Sequence, residues 1–151
     1  MRECLKYANK HYEVGIFTAS HKWFAEQILD FLDPDKSLIQ HRFYRQHTCK
    51  LEDDDDYLFV KDLNMFKGEV SLKDILLIDN NIYSFGFQLE NGIPILDFMG
   101  DKNDTELLKV MHTLCHLKNF DDLRIENEKI FRLRDIYNQD MDQYIKYYDS
   151  E

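Results

Sequence analysis

The sequence predicts an α/β fold built on a parallel sheet. Short apolar runs alternate along the chain with segments of helical period. Several of those runs stop on a polar residue at the point where a strand would end. Neither an internal repeat nor a long linker breaks the 151 residues, a length that fits one domain with a real core.

The elements follow in order. Residues 2–12 read as a helix, with Cys4, Leu5, Ala8 and Tyr12 near helical spacing. Glu13–Phe17 is a short buried strand, followed by Thr18-Ala19-Ser20. Ser20 is placed as the N-cap of a helix over His21–Leu32, whose Trp23, Phe24, Ile28, Leu29 and Phe31 supply an apolar face. Asp33-Pro34-Asp35 ends it. Ile39–Tyr44 is a second strand. A polar loop with Glu52 and the run Asp53–Asp56 comes next, then apolar Tyr57–Val60 leading into Lys61-Asp62-Leu63. Asp74–Ile78 is the clearest buried strand and runs into Asp79-Asn80-Asn81. Asn91-Gly92 signals a turn before the strand Ile93–Phe98. Helices are expected from about Asp104 to Leu117 and over Leu123–Tyr137, followed by a polar, Tyr-rich tail.

Composition narrows the function. Apolar residues make up 44% and charged residues 32%, which is globular rather than disordered. A net charge of −10 repels bare nucleic acid, so a polyanionic ligand needs a local basic pocket. No apolar run approaches the ~20 residues of a membrane span, and the start Met1-Arg2-Glu3-Cys4 is not a signal peptide. Cys4, Cys49 and Cys115 are too few and too scattered for a disulfide framework, and reduced thiols in a nuclear or cytoplasmic protein are expected.

In an open α/β sheet, ligands sit at the carboxyl ends of strands. Thr18, Lys61 and Asp79 stand at or near such ends. Asp79 and Asn80 offer the hard oxygen donors that magnesium prefers, or else they cap the following turn. Lys61 offers a point charge for a phosphate oxygen, or else is an ordinary surface lysine. Thr18 offers a hydroxyl, and the amides of Ala19 and Ser20 lie beside a helix start where an anion can bind; the alternative is a plain turn. Taken in order, these groups describe a pocket for phosphate and magnesium. His112 and His116, four apart, read as ordinary core or surface residues; Asp53–Asp56 reads as a solvated loop, and Tyr144–Tyr148 as a frayed terminal helix.

Phe17-Thr18-Ala19-Ser20, Val60-Lys61-Asp62-Leu63 and Ile78-Asp79-Asn80 resemble the second, third and fourth motifs of the haloacid dehalogenase-type phosphatases that act on the C-terminal domain of RNA polymerase II. Phe43-Tyr44-Arg45-Gln46-His47, Asn91-Gly92-Ile93-Pro94-Ile95 and Asn103-Asp104-Thr105-Glu106-Leu107 match further segments of that family. The resemblance implies a three-layer Rossmann-like parallel sheet over residues 1–120; the C-terminal helix and polar tail over 121–151 lie beyond it. It implies a magnesium-dependent protein serine/threonine phosphatase that works through an aspartyl-phosphate and acts on a phosphoprotein. Thr18 and Ala19 would bind phosphate, Lys61 would neutralise it, Asp79 and Asn80 would hold magnesium, and Arg45 would contact substrate.

Three departures accompany the resemblance. The family's Asp-x-Asp-x-Thr motif, carrying the nucleophile and the acid/base aspartate on the central first strand, should precede Phe17 by several tens of residues. The 16 residues before Phe17 contain no Asp. The expectation is therefore a fold missing its central first strand, marginally stable alone and inactive in this chain. The alternative is a non-catalytic binding module, as in a mitochondrial import receptor with the same fold, in which case a protein partner is expected. Asn81-Ile82 stands where relatives often have Ser-Pro, and the acidic segment Glu52–Asp56 places negative charge where a phosphopeptide would approach.

Overall fold

Ten helices and strands, linked by short 3-10 turns, follow one another in the computed structural model, which describes residues 1–53 and 56–139. Helix α1 covers Arg2–Ala8, strand β1 Gly15–Phe17, helix α2 Lys22–Leu32 and strand β2 His41–Phe43. Strands β3 (Cys49–Asp53) and β4 (Asp56–Val60) come next, then β5 (Leu77–Asp79) and β6 (Gly92–Pro94). Helices α3 (Glu106–Leu117) and α4 (Leu123–Phe131) close the described order.

The alternation of strand and helix is as expected, and both inter-element pairings with crossovers are parallel: β1 with β2, and β5 with β6. The strands do not form one sheet. Three two-stranded ladders are present, β1–β2, β5–β6 and the antiparallel hairpin β3–β4. Among the described residues no strand pairs with the second edge of β1 or of β5. Ile78, in the middle of β5, is left 37% exposed, although parallel strands are normally covered on both faces.

Packing gathers three apolar clusters around these ladders. Ala8 of α1, Ile93 of β6, Val110, Leu114 and Leu117 of α3 and Leu123 of α4 form one. Leu5, Ala25, Leu29, Ile39 and Tyr44 form a second, and Val14 touches both. Leu63, Leu77, Phe85 and Leu133 form the third, joined to the first through Phe131. Gly92 is forced by this packing. A Cβ there would lie 2.7 Å from Leu133 Cδ1 and 2.7 Å from Phe85 Cγ, well inside van der Waals contact.

Several expected boundaries move, each for a local reason. Helix α1 ends at Ala8; Asn9 caps it with its backbone still in the right-handed helical region, and its Nδ2 donates to the carbonyls of Leu5 and Leu38. Tyr12 then turns inward, its hydroxyl donating to Leu114 O at 2.7 Å. Residues 72–74 form a 3-10 turn, so the strand expected over 74–78 becomes Leu77–Asp79. The strand expected over 93–98 is Gly92–Pro94, preceded by a 3-10 turn at Leu89–Asn91. The loop expected before Tyr57 is hairpin: Lys50 opposes Phe59 and Leu51 opposes Leu58, with the Lys50 ammonium 3.6 Å from the Tyr57 ring centroid. Arg132 breaks the last helix in the left-handed region at φ 51, and residues 133–139 resume helical backbone. Tyr144–Tyr148 and the tip of the acidic run lie outside the described residues.

Helix α2 departs most from its reading. Ala25 and Leu29 are buried, whereas Trp23, Phe24, Ile28 and Phe31 are exposed. The helix packs through its narrower, smaller-residue stripe. The larger apolar stripe faces outward, with Arg2 stacked on the Phe31 ring at 5.8 Å. No helix among the described residues is long and apolar enough to cross a membrane.

Candidate functional site: the Lys61–Asp79 pair

Lys61 follows β4 and Asp79 ends β5, and each is pinned before its side chain is considered. The Lys61 amide donates to Ser84 O at 3.2 Å, in the 3-10 turn Ile82–Phe85 that follows Asp79. Asp79 O accepts from the Ile95 amide at 3.0 Å, which continues the β5–β6 ladder past Pro94. The two side chains meet in an ion pair between Lys61 Nζ and Asp79 Oδ2. Side-chain exposure is only 8% and 10%, so the pair is shielded from water on most sides. Asp79 Oδ1 accepts from the Asn81 amide at 2.8 Å, so both carboxylate oxygens are occupied.

The β1 end approaches through Phe17, whose ring centroid is 5.9 Å from Lys61 Nζ. Thr18 follows Phe17, and its amide donates to Phe43 O at 3.0 Å. Thr18 Oγ1 accepts from the Ser20 amide at 3.1 Å. Ser20 is therefore not the N-cap of α2: His21 holds that position without a side-chain cap. It is the Ala19 amide, not Ser20's, that the turn can offer to an anion.

Arg45 joins this turn to the hairpin. Its Nε donates to Ala19 O at 2.6 Å and its guanidinium lies 4.8 Å from the Phe59 ring centroid. Arg45 Nη1 contacts His21 Nε2 at 3.0 Å. Because Arg45 can only donate, that contact needs His21 in the tautomer with an unprotonated Nε2.

On the other side of Asp79, Asn80 Nδ2 donates to Asp97 Oδ1 at 2.5 Å. Asp97 belongs to no sequence motif and was not anticipated. Asp79 and Asn80 supply one carboxylate and one amide oxygen, a hard donor set that fits magnesium's preference for few protein ligands and several waters. No group of three or more His, Cys, Asp or Glu side chains suited to a metal occurs among the described residues. His116 Nε2 lies 3.1 Å from Glu126 Oε1.

Further from the pair, the Tyr44 hydroxyl donates to Glu26, which also receives Arg42 Nη1 at 2.8 Å. Burial pushes the Tyr44 phenol up to about 12, helped by the Glu26 carboxylate, and the Tyr44 hydrogen bond holds Glu26 below the usual carboxylate range. This network fixes β2 against α2 behind the Thr18 turn.

So the structure brings Lys61 and Asp79 into contact, sets Phe17 beside them, and ties Thr18, Ala19 and Arg45 into one turn. The profile of the NLI interacting factor-like phosphatases matches residues 1–124. The chain belongs to that family. It is 39% identical over 137 residues to CTD small phosphatase-like protein 3 of Caenorhabditis elegans, covering 89% of this chain and 45% of that protein. It is 38% identical over 128 residues to CTD small phosphatase-like protein 2 of Dictyostelium discoideum, covering 85% and 21%. Nuclear envelope morphology protein 1 of Schizosaccharomyces pombe is 35% identical over 120 residues, 80% of this chain and 24% of that one. The chain thus spans less than half the length of these relatives. A solved structure of the fission yeast RNA polymerase II CTD phosphatase Fcp1, bound to beryllium fluoride, superposes with a TM-score of 0.52 at 16% identity, covering 99% of this chain and 50% of the other. The fold of this phosphatase-family chain is therefore the haloacid dehalogenase type.

Proposed function

We propose that this chain belongs to a magnesium-dependent protein serine/threonine phosphatase domain that works through an aspartyl-phosphate. Residues 1–120 would be the phosphatase unit, and 121–151 its C-terminal helix and tail. The observation that carries the reading is the shielded contact of Lys61 with Asp79 at the end of a parallel strand. Hydrolysis of a phosphate monoester needs strong charge neutralisation at the phosphoryl group, and a lysine and an acid held together out of water are the means for it.

In this reading Lys61 turns its ammonium to a phosphate oxygen, and the Thr18 hydroxyl and Ala19 amide hold another. Arg45 steadies the turn through Ala19 O and, with Nη1 on His21, would turn Nη2 to the phosphoprotein. Magnesium, when bound, would be held through Asp79 and Asn80 and would offset charge on the phosphoryl group. The attacking carboxylate is not one of the site residues, since the sequence contains no Asp-x-Asp-x-Thr. The chain of this sequence by itself is expected to turn over no phosphate. Relatives named for CTD phosphatase and nuclear envelope activity support a phosphoprotein substrate and a nucleus-associated location.

The test is to fuse a strand carrying Asp-x-Asp-x-Thr ahead of Met1 and to assay aryl phosphate hydrolysis with magnesium. Turnover that Asp79→Ala abolishes is expected. A fused chain that melts cooperatively yet shows no turnover would overturn the reading. That outcome would favour a second one, a non-catalytic module that holds a protein partner.

A further inference from the structure

Asn80 stands beside Asp79 on the strand end that the proposed function assigns to a divalent cation, and the present inference rests on that assignment. An asparagine side chain has two ends with opposite uses. Its oxygen can ligate a cation and its NH2 group can only donate. Whichever neighbour claims one end decides which end remains.

Asp97 makes that claim. Its Oδ1 accepts from Asn80 Nδ2 at 2.5 Å. An ionised carboxylate is an acceptor only, so the amide cannot be reversed without opposing two oxygens. The NH2 group must face Asp97, and the Asn80 oxygen must point away from it.

The backbone puts Asp97 there. The Ile95 amide bonds to Asp79 O at 3.0 Å, carrying the parallel register beyond β6. The next amide, Leu96, donates to Glu106 Oε2 at 3.2 Å in the first turn of α3. Burial does not hold this segment: Leu96, Phe98 and Met99 are 70%, 72% and 86% exposed. Polar bonds place Asp97, and Asp97 in turn places Asn80.

We propose that Asp97 is a positioning residue, fixing Asn80 so that its side-chain oxygen is presented to a divalent cation held with Asp79. Outer partners that orient ligands typically change metal affinity by 10–100-fold when lost.

The experiment measures Mn2+ affinity of the full chain by electron paramagnetic resonance for wild type, Asp97→Ala and Asp97→Asn. The Asn variant removes the charge but keeps an oxygen that can accept from Asn80. Asp97→Ala is expected to weaken binding roughly tenfold, and Asp97→Asn to keep most of it. Equal losses in the two variants would mean that charge alone matters, and no loss in Asp97→Ala would mean that Asp97 does nothing; either overturns the proposal. Absence of Mn2+ binding by wild type would instead overturn the cation assignment beneath it. A metal-free readout separates the two: the side-chain NH2 resonances of Asn80 in a 15N spectrum should move in Asp97→Ala and stay in Asp97→Asn. Unmoved resonances in Asp97→Ala would overturn the positioning claim whatever the metal does.

Discussion

Lys61 and Asp79, eighteen residues apart in sequence, close an ion pair in which each side chain is about nine-tenths shielded from solvent. Such a pair is costly to assemble and more costly to break from one side. Lys61→Met should destabilise the chain by about 3–5 kcal/mol, because it strands a buried carboxylate. Lys61→Met with Asp79→Leu should cost clearly less than the two single changes added together. Urea unfolding of the three variants reads the coupling, and strict additivity would mean the pair does not interact.

Gly92 offers a steric prediction. Gly92→Ala puts a methyl group 2.7 Å from both Leu133 Cδ1 and Phe85 Cγ. The Phe85 ring is 1% exposed and has no room to withdraw. A loss of about 1–3 kcal/mol is expected for such overpacking, read by denaturant midpoint.

How much of this was legible in the chain differs element by element. The Lys61–Asp79 meeting was readable because ordered motifs at strand ends constrain one another. The β3–β4 hairpin was not, because the acids that follow Leu51 mask the alternation continued by Tyr57 and Phe59. Helix α2 reads as amphipathic and Leu29 of its expected face is buried, but Trp23, Phe24, Ile28 and Phe31 are exposed and Ala25, absent from that face, is buried beside Leu29, where a small residue permits close approach. Asp97 left no trace in sequence, since one acid after a short strand has no periodicity to betray it. The same holds for Asn91 and Asn127, both 1% exposed. Their Nδ2 groups satisfy Leu72 O and Ile75 O, and Glu90 O and Gly92 O, a service to backbone that only coordinates reveal.

The Tyr44–Glu26 contact predicts an alkaline limit. The Tyr44 phenol has a folded value of about 12, raised above the ordinary 10. A raised folded value stabilises below the unfolded value and loses that contribution as pH climbs toward the folded one. Stability should therefore decline between pH about 10 and about 12, and Tyr44→Phe should flatten that decline in thermal melts.

Asp33 predicts an acid limit of opposite sign. Burial acts to raise its carboxyl, but the amides of Leu38, Ile39 and Ser37 donate to it and hold it below the usual range. A lowered folded value stabilises above the unfolded value, about 3.9, and the benefit disappears as pH falls through the folded one. Melts from pH 6 downward should show Asp33→Ala less stable than wild type at first, with the gap closing in acid.

The two parallel ladders share no backbone hydrogen bond among the described residues, while Lys61 reaches the Phe17 ring of one and the Asp79 carboxylate of the other. Their amides can then exchange with solvent as two populations of separate lifetime, one ladder parting while its neighbour holds. Lys61 is the polar tie across these halves, beside the apolar ties of Val14 and helix α1, so an anion that draws its ammonium away would leave the seam closed by side-chain packing alone.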